Sequence, residues 1–169
     1  MTSRNLKHFA ASSATAALVL VGMLAWGSGL TVRARSEDEG SHKSLEGTWR
    51  VQLTVRDCQT NAALRTFPAL FTFAKGGTLT ATTAGQSPAL FTPNLGVWEH
   101  TRGNTYSAVS EAFVFSPVGV WIQTHRLTRA IELDRDADEF TDTVTVEIFD
   151  TNRNVIATGC GTSAARRFE

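Results

Sequence analysis

From Leu45 to the C-terminus, apolar residues recur at every second position, a spacing that fits strands and argues against amphipathic helices. In Trp49-Arg50-Val51-Gln52-Leu53-Thr54-Val55-Arg56, the residues Trp49, Val51, Leu53 and Val55 share one face, and the four polar residues share the other. Such a segment is a half-buried strand. Similar runs at 69–74, 78–83, 96–101, 105–115, 120–133, 140–149 and 155–166 bring the expected number of strands to eight. The separators Lys75-Gly76-Gly77, Arg102-Gly103-Asn104, Ser116-Pro117-Val118-Gly119, 134–138 and 150–154 are rich in residues that tolerate turn geometry. Only the loop 59–67 carries any helical character. Short connections imply an antiparallel up-and-down meander, and closing eight such strands into a barrel removes exposed sheet edges. The expected class is all-β, a single eight-stranded antiparallel up-and-down β-barrel, with a two-sheet sandwich as the alternative.

At 169 residues, 42% of them hydrophobic and 19% charged, the chain has room for one core. Its 16 basic and 16 acidic residues cancel and lie scattered, which gives no electrostatic ground for a nucleic-acid partner. The N-terminus differs in character. Arg4, Lys7 and His8 precede an uncharged stretch at 9–32 whose densest apolar run is 14–26. Two fates fit this segment: removal as a signal peptide after Ala34, or retention as a single membrane anchor, which needs about 20 apolar residues. Ser12, Ser13, Thr15, Gly27, Ser28 and Gly29 dilute its ends and leave the short apolar centre of a signal peptide, while Arg33 and Arg35 on the far flank orient an anchor only weakly. The organisation is therefore 1–34 as signal peptide or membrane anchor, 35–44 as flexible linker and 45–169 as barrel. The expected location is outside the cytoplasm, periplasmic or secreted, with membrane contact only through an uncleaved N-terminal segment.

Cys58 ends the first strand and Cys160 lies in the last. In an exported protein an even pair forms a disulfide more often than it stays reduced, although two buried thiols are the plainer alternative. Pairing them sets Val51 near Arg167 and Trp49 near Glu169, the antiparallel register of a closed barrel. The four histidines show no spacing that completes a metal site with these cysteines. No Gly-x-Ser-x-Gly, paired-His motif or phosphate loop occurs, Gly76-Gly77 reads as a hairpin turn, and no cofactor or metal is expected.

Gly47-Thr48-Trp49 opening the first strand, with Arg166 or Arg167 closing the last, resembles the Gly-x-Trp and terminal Arg of lipocalins and their calycin relatives. The resemblance implies that Trp49 closes the barrel floor with the arginine packed across it, so that Gly47, Trp49 and Arg166 are structural. The chain after the export segment is shorter than a typical lipocalin and shows no long helix after the last strand, which makes it similar to a plainer lipocalin-like or avidin-like barrel. No residues correspond to the biotin site of avidins.

A hairpin between the sixth and seventh strands sets Ile131 opposite Phe140, Arg129 opposite Asp142, Leu127 opposite Val144 and His125 opposite Val146. The same face of the sixth strand carries Trp121 and Gln123. Apolar matching then turns Val109, Glu111, Phe113 and Phe115 of the fifth strand inward, with Glu111 near His125. A slip of one residue exchanges these for Tyr106, Ala108, Ser110, Ala112 and Val114. Trp98, Glu111, Phe113, Trp121, His125, Arg129 and Asp142 are accordingly the candidate ligand-binding residues, since small-molecule sites combine apolar walls with a few placed polar groups. The competing readings are cross-strand ion pairs for the charged residues and simple filling for the aromatic ones, Trp49, Phe71, Phe73 and Phe140 included. The loop 86–94 places Leu90 and Phe91 between two prolines, where it caps the mouth, meets a partner or packs on the rim.

Three functions are compatible with this chain: an exported barrel that binds a small hydrophobic or amphipathic molecule, a protein-binding barrel acting as inhibitor or envelope interaction module, and a cofactor-free isomerase or cyclase using Glu111 and His125 as acid and base. No residue is assigned as catalytic.

Overall fold

The computed structural model describes residues 44–168. The segments 1–34 and 35–43, read above as export signal or anchor and as linker, lie outside the described residues. Eight strands run in order: β1 (Gly47–Arg56), β2 (Ala63–Ala74), β3 (Thr78–Thr83), β4 (Asn94–Arg102), β5 (Thr105–Phe115), β6 (Trp121–Leu133), β7 (Glu139–Phe149) and β8 (Val155–Arg167). Each pairs antiparallel with the next, and β8 returns to β1, so the meander closes into a barrel. Closure gives every strand two neighbours, although the short β3 pairs only with Ala69–Ala74 of β2 and Asn94–Val97 of β4. The 59–67 stretch is not helical: β2 begins at Ala63, because the turn at 57–62 is closed by Asn61 and Ala62 pairing with Asp57 backbone groups.

Alternation decides which side chains enter the lumen. Trp49, Val51, Ala69, Phe71, Phe73, Leu79, Ala81, Ile131, Leu133, Phe140 and Ala165 are buried while their sequence neighbours in the strands are half-buried or exposed. Their core is concentrated at the end where β1 starts and β8 finishes. There Trp49 meets Phe140 edge-on at 4.9 Å, and Phe73 meets Phe140 at 6.0 Å and Trp98 at 5.9 Å. Such edge-to-face pairs add to the burial of the rings themselves.

Arg167, not Arg166, seals this floor. Its guanidinium lies 4.3 Å over the Trp49 ring and donates to the carbonyls of Ala137, Glu46 and Ser44, while Trp49 Nε1 donates to Leu45 O at 2.9 Å. Arg166 points outward, 81% exposed, to Glu139 at 2.8 Å. Gly47 allows the arrangement. Its φ of +125° is a conformation side chains rarely adopt, and a Cβ there would come within 2.8 Å of Arg167 Nη1.

Two registers differ from expectation by two residues, which preserves the faces but moves the partners. Trp49 stands opposite Arg167 and Val51 opposite Ala165, because Cys58 lies past the end of β1 and its bond to Cys160 runs diagonally, with Cα atoms 5.3 Å apart. Leu133, not Ile131, stands opposite Phe140. The reason is the tight β6–β7 turn: the Asp134 carboxylate accepts from the Asp138 and Glu139 amides, and the Asp134 amide donates to Glu139 O. In β5 the one-residue slip prevails. Tyr106, Ala108, Ser110 and Ala112 are buried inside, whereas Phe113 is 48% exposed. Volume overrides local apolar matching here. Ala108 pairs with Arg129, whose long side chain needs the space, and Ser110 pairs with Gly96, where a Cβ would collide with Val109 O and Ser110 Cα.

Candidate ligand-binding site

The lumen divides into two halves. Its divider is Arg129, which leaves β6 and reaches Phe71 on β2, the strand diametrically opposite in the ring of eight, with its guanidinium 4.5 Å over the Phe71 ring. On the way Nη1 donates to Asp142 Oδ2 at 2.6 Å and to Ser163 Oγ at 3.4 Å. The side chains of Arg129 and Asp142 are 3% and 0% exposed. Below this crossbar lies the aromatic core. Above it, inward-facing Leu53, Val55, Val114, Gln123, His125, Leu127, Val146 and Ile148 are only half-buried, unlike the core below, and this upper half is a cup toward the mouth. The last strand contributes little bulk to this cup, because its inward positions there are Ala157, Gly159 and Gly161. A Cβ added at Gly159 would touch Val146 at an ordinary 3.6 Å.

The walls are apolar, and the polar groups are incompletely matched. Arg129 Nε, Asp142 Oδ1, His125 Nε2 and Asn94 Oδ1 are buried without a hydrogen-bond partner among the described residues. All four belong to residues whose strand position faces the lumen, and a fifth such atom, Thr124 Oγ1, belongs to the outward face of β6 between Phe113 and Phe149. Arg129 Nη2 likewise makes no hydrogen bond there, so the whole Nε/Nη2 edge of the guanidinium is free. An unsatisfied buried polar group costs about 1–3 kcal/mol, so this concentration is expensive unless a ligand or water completes it. His125 sits near the mouth, its ring edge-on to Phe91 at 5.0 Å, and burial lowers its pKa below 6.5, leaving the ring neutral at pH 7.

The expected site residues therefore separate into three groups. His125, Arg129 and Asp142 face the middle and upper lumen together. Trp98 faces inward but in the lower half, where its ring packs on Phe73 and Tyr106 and its Nε1 donates to Ala74 O. Glu111, Phe113 and Trp121 lie on the outer wall. Glu111 pairs with Arg153 at 3.5 Å rather than approaching His125, so no Glu111–His125 acid–base pair is assembled. Trp121 stacks edge-on against Phe113 at 6.0 Å, turned to that side by the bulge between Val114 and Phe115. The loop before β4 folds onto the mouth: Phe91 bridges to Val114, Phe115 N donates to Leu90 O and Thr92 N to Phe113 O.

Sequence reasoning missed Asn94, Gly159, Gly161 and Ser163, and named Ser110 and Phe71 only as the alternative inward register and as an aromatic of the interior. Their signal was present as small residues at alternate positions, Ala108-x-Ser110-x-Ala112 and Gly159-x-Gly161-x-Ser163, which leave lumen space that bulky residues elsewhere must fill or a ligand can. Among the described residues no three His, Cys, Asp or Glu side chains gather as a metal site. Comparison with family models and with curated proteins finds no match to this chain.

Proposed function

We propose that this chain is an exported, lipocalin-like binding protein that holds one small amphipathic molecule in the upper half of its barrel. The observation that carries the reading is the pairing of half-buried apolar walls with unpartnered polar atoms at the cup floor, on Arg129 and Asp142. A ligand with an apolar tail and a polar end satisfies both surfaces at once. From Arg129 to Gln123, six residues of strand at about 3.3 Å each, tilted by roughly 40°, give a cup about 15 Å deep. The Cys58–Cys160 disulfide suits an oxidising compartment, in line with the export segment read from the sequence.

The test is titration of the oxidised full chain with the neutral dye N-phenyl-1-naphthylamine. Saturable one-to-one binding with a blue shift is expected in the wild type. Gly159→Leu, which fills the cup from β8, abolishes it, whereas Val97→Ser on the outer face of β4 does not. Binding that survives Gly159→Leu with undiminished affinity, while circular dichroism and melting show the variant folded, overturns the assignment to the cup.

A second reading, a barrel that grips another protein, is favoured by one specific observation. The outer wall carries Leu95, Val97, Phe113, Trp121 and Ile122 exposed, and the adjoining β5–β6 turn carries Val118 and Val120 exposed, Val118 by 83%. Phe113 and Trp121 are in ring contact within this set, and clustered exposed apolar side chains are characteristic of interaction sites. A cup that takes no dye, combined with a partner lost on Phe113→Ser, would favour that reading over the carrier.

A further inference from the structure

We propose that the ligand's polar end is uncharged and carries both a hydrogen-bond acceptor and a donor, as a carboxamide does. This rests on the reading of the cup as a binding site and specifies what the floor selects. Arg129 and Asp142 already neutralise each other at 2.6 Å, so the floor has no net charge to offer. Of the remaining inward groups above it, His125 is held neutral by burial and Asn94 and Gln123 are uncharged. Arg65, at the rim, is turned to Gly85 O at 2.8 Å and to the Phe67 ring at 4.7 Å. Glu111, Arg126, Glu147 and Arg153 belong to the outer wall or the β7–β8 turn.

An ionised carboxylate or ammonium placed on that floor is an uncompensated charge in a desolvated site, which the interior penalises severely. What the pair does offer is hydrogen-bonding capacity of both kinds. The free Nε/Nη2 edge of Arg129 is a two-pronged donor for an oxygen, and Asp142 Oδ1 is an acceptor for an N–H or O–H. A neutral amide uses both. An ester of the same length supplies only the acceptor and leaves Asp142 Oδ1 unpartnered.

The experiment is competition at pH 8 for dye bound to the oxidised full chain by three ligands of equal chain length: decanamide, methyl decanoate and decanoate. Decanamide is expected to displace the dye at a concentration at least about tenfold below either of the others, the scale of one charge-assisted hydrogen bond. Within the double variant Arg129→Met/Asp142→Leu the ratio of amide to ester is expected to collapse to about one. Tightest displacement by decanoate, or equal displacement by all three, overturns the neutral-head inference while leaving the cup as a binding site. Displacement by none of the three overturns the inference and the carrier reading together. The wild-type ranking decides the matter even if the double variant does not fold.

Discussion

Replacing the crossbar tests whether it belongs to the scaffold or to the site. Asp142→Ala leaves the Arg129 guanidinium, 3% exposed, with Ser163 Oγ at 3.4 Å as its one remaining hydrogen-bond partner among the described residues. Removing one member of a buried pair costs about 3–5 kcal/mol, and Arg129→Met, which strands a fully buried carboxylate, should cost a similar amount. The double variant Arg129→Met/Asp142→Leu behaves differently. Both desolvation penalties vanish, and the unpartnered Nε and Oδ1 vanish with them. Apolar replacement of such pairs is typically neutral or stabilising by about 1–4 kcal/mol, so the double variant should be at least as stable as the wild type. Urea unfolding of the oxidised protein, followed by tryptophan fluorescence, reads this directly. With a slope of about 1–3 kcal/mol/M, each single variant should lower the midpoint by one to several molar units, and the double variant should restore it. A double variant as unstable as either single one would refute the reasoning and make the pair a structural member of the core.

Gly47→Ala forces a side chain into φ +125° and against Arg167, so it should cost about 1–3 kcal/mol and appear as a lowered melting temperature. Reducing Cys58–Cys160, which spans 102 residues, should remove about 4–5 kcal/mol on the chain-entropy account, checked by urea midpoints with and without reductant. Because burial lowers the His125 pKa below 6.5, the unfolded chain binds a proton that the folded one refuses in the window between those two values. Stability is therefore present above about pH 6.5 and declines as pH falls through that window, a slope that His125→Gln should remove from the pH dependence of the urea midpoint. Asp57 and Asp150, held below 3.8 by hydrogen bonds centred on Thr60 and Asn154, lose their contributions only in a separate, more acidic window.

The barrel itself was legible because its cause is periodic. Alternation from Trp49 onward, turn residues between runs and two cysteines, one just past the first strand and one in the last, each follow from local chemistry, and together they require β1 to meet β8. The registers were legible only to within two residues, since shifts of two preserve the buried face and turn geometry alone chooses among them, as Asp134 does at the β6–β7 turn. The inward face of β5 was not legible. Val109, Phe113 and Phe115 are the more apolar set, but the deciding quantity is lumen volume, and that depends on Arg129 crossing from another strand. For the same reason Arg129 and Asp142 were recognisable as partners while Glu111 and His125 were not recognisably separate. One pair survives a two-residue shift as a diagonal contact, and the other is split by a change of face.

The two ends of the molecule are held by different means. At the floor, Trp49, Leu45 and Arg167 interlock by packing and hydrogen bonds. At the mouth, where inward residues are half-buried and packing is thin, the first and last strands are tied by a covalent bond. Heat and denaturant must therefore work against the whole aromatic base, whereas a thiol acts selectively at the rim. A reducing surrounding removes the tie at the opening and, with it, a large part of the margin by which the whole barrel stays folded, so the redox state of Cys58 and Cys160 bears on both ends at once.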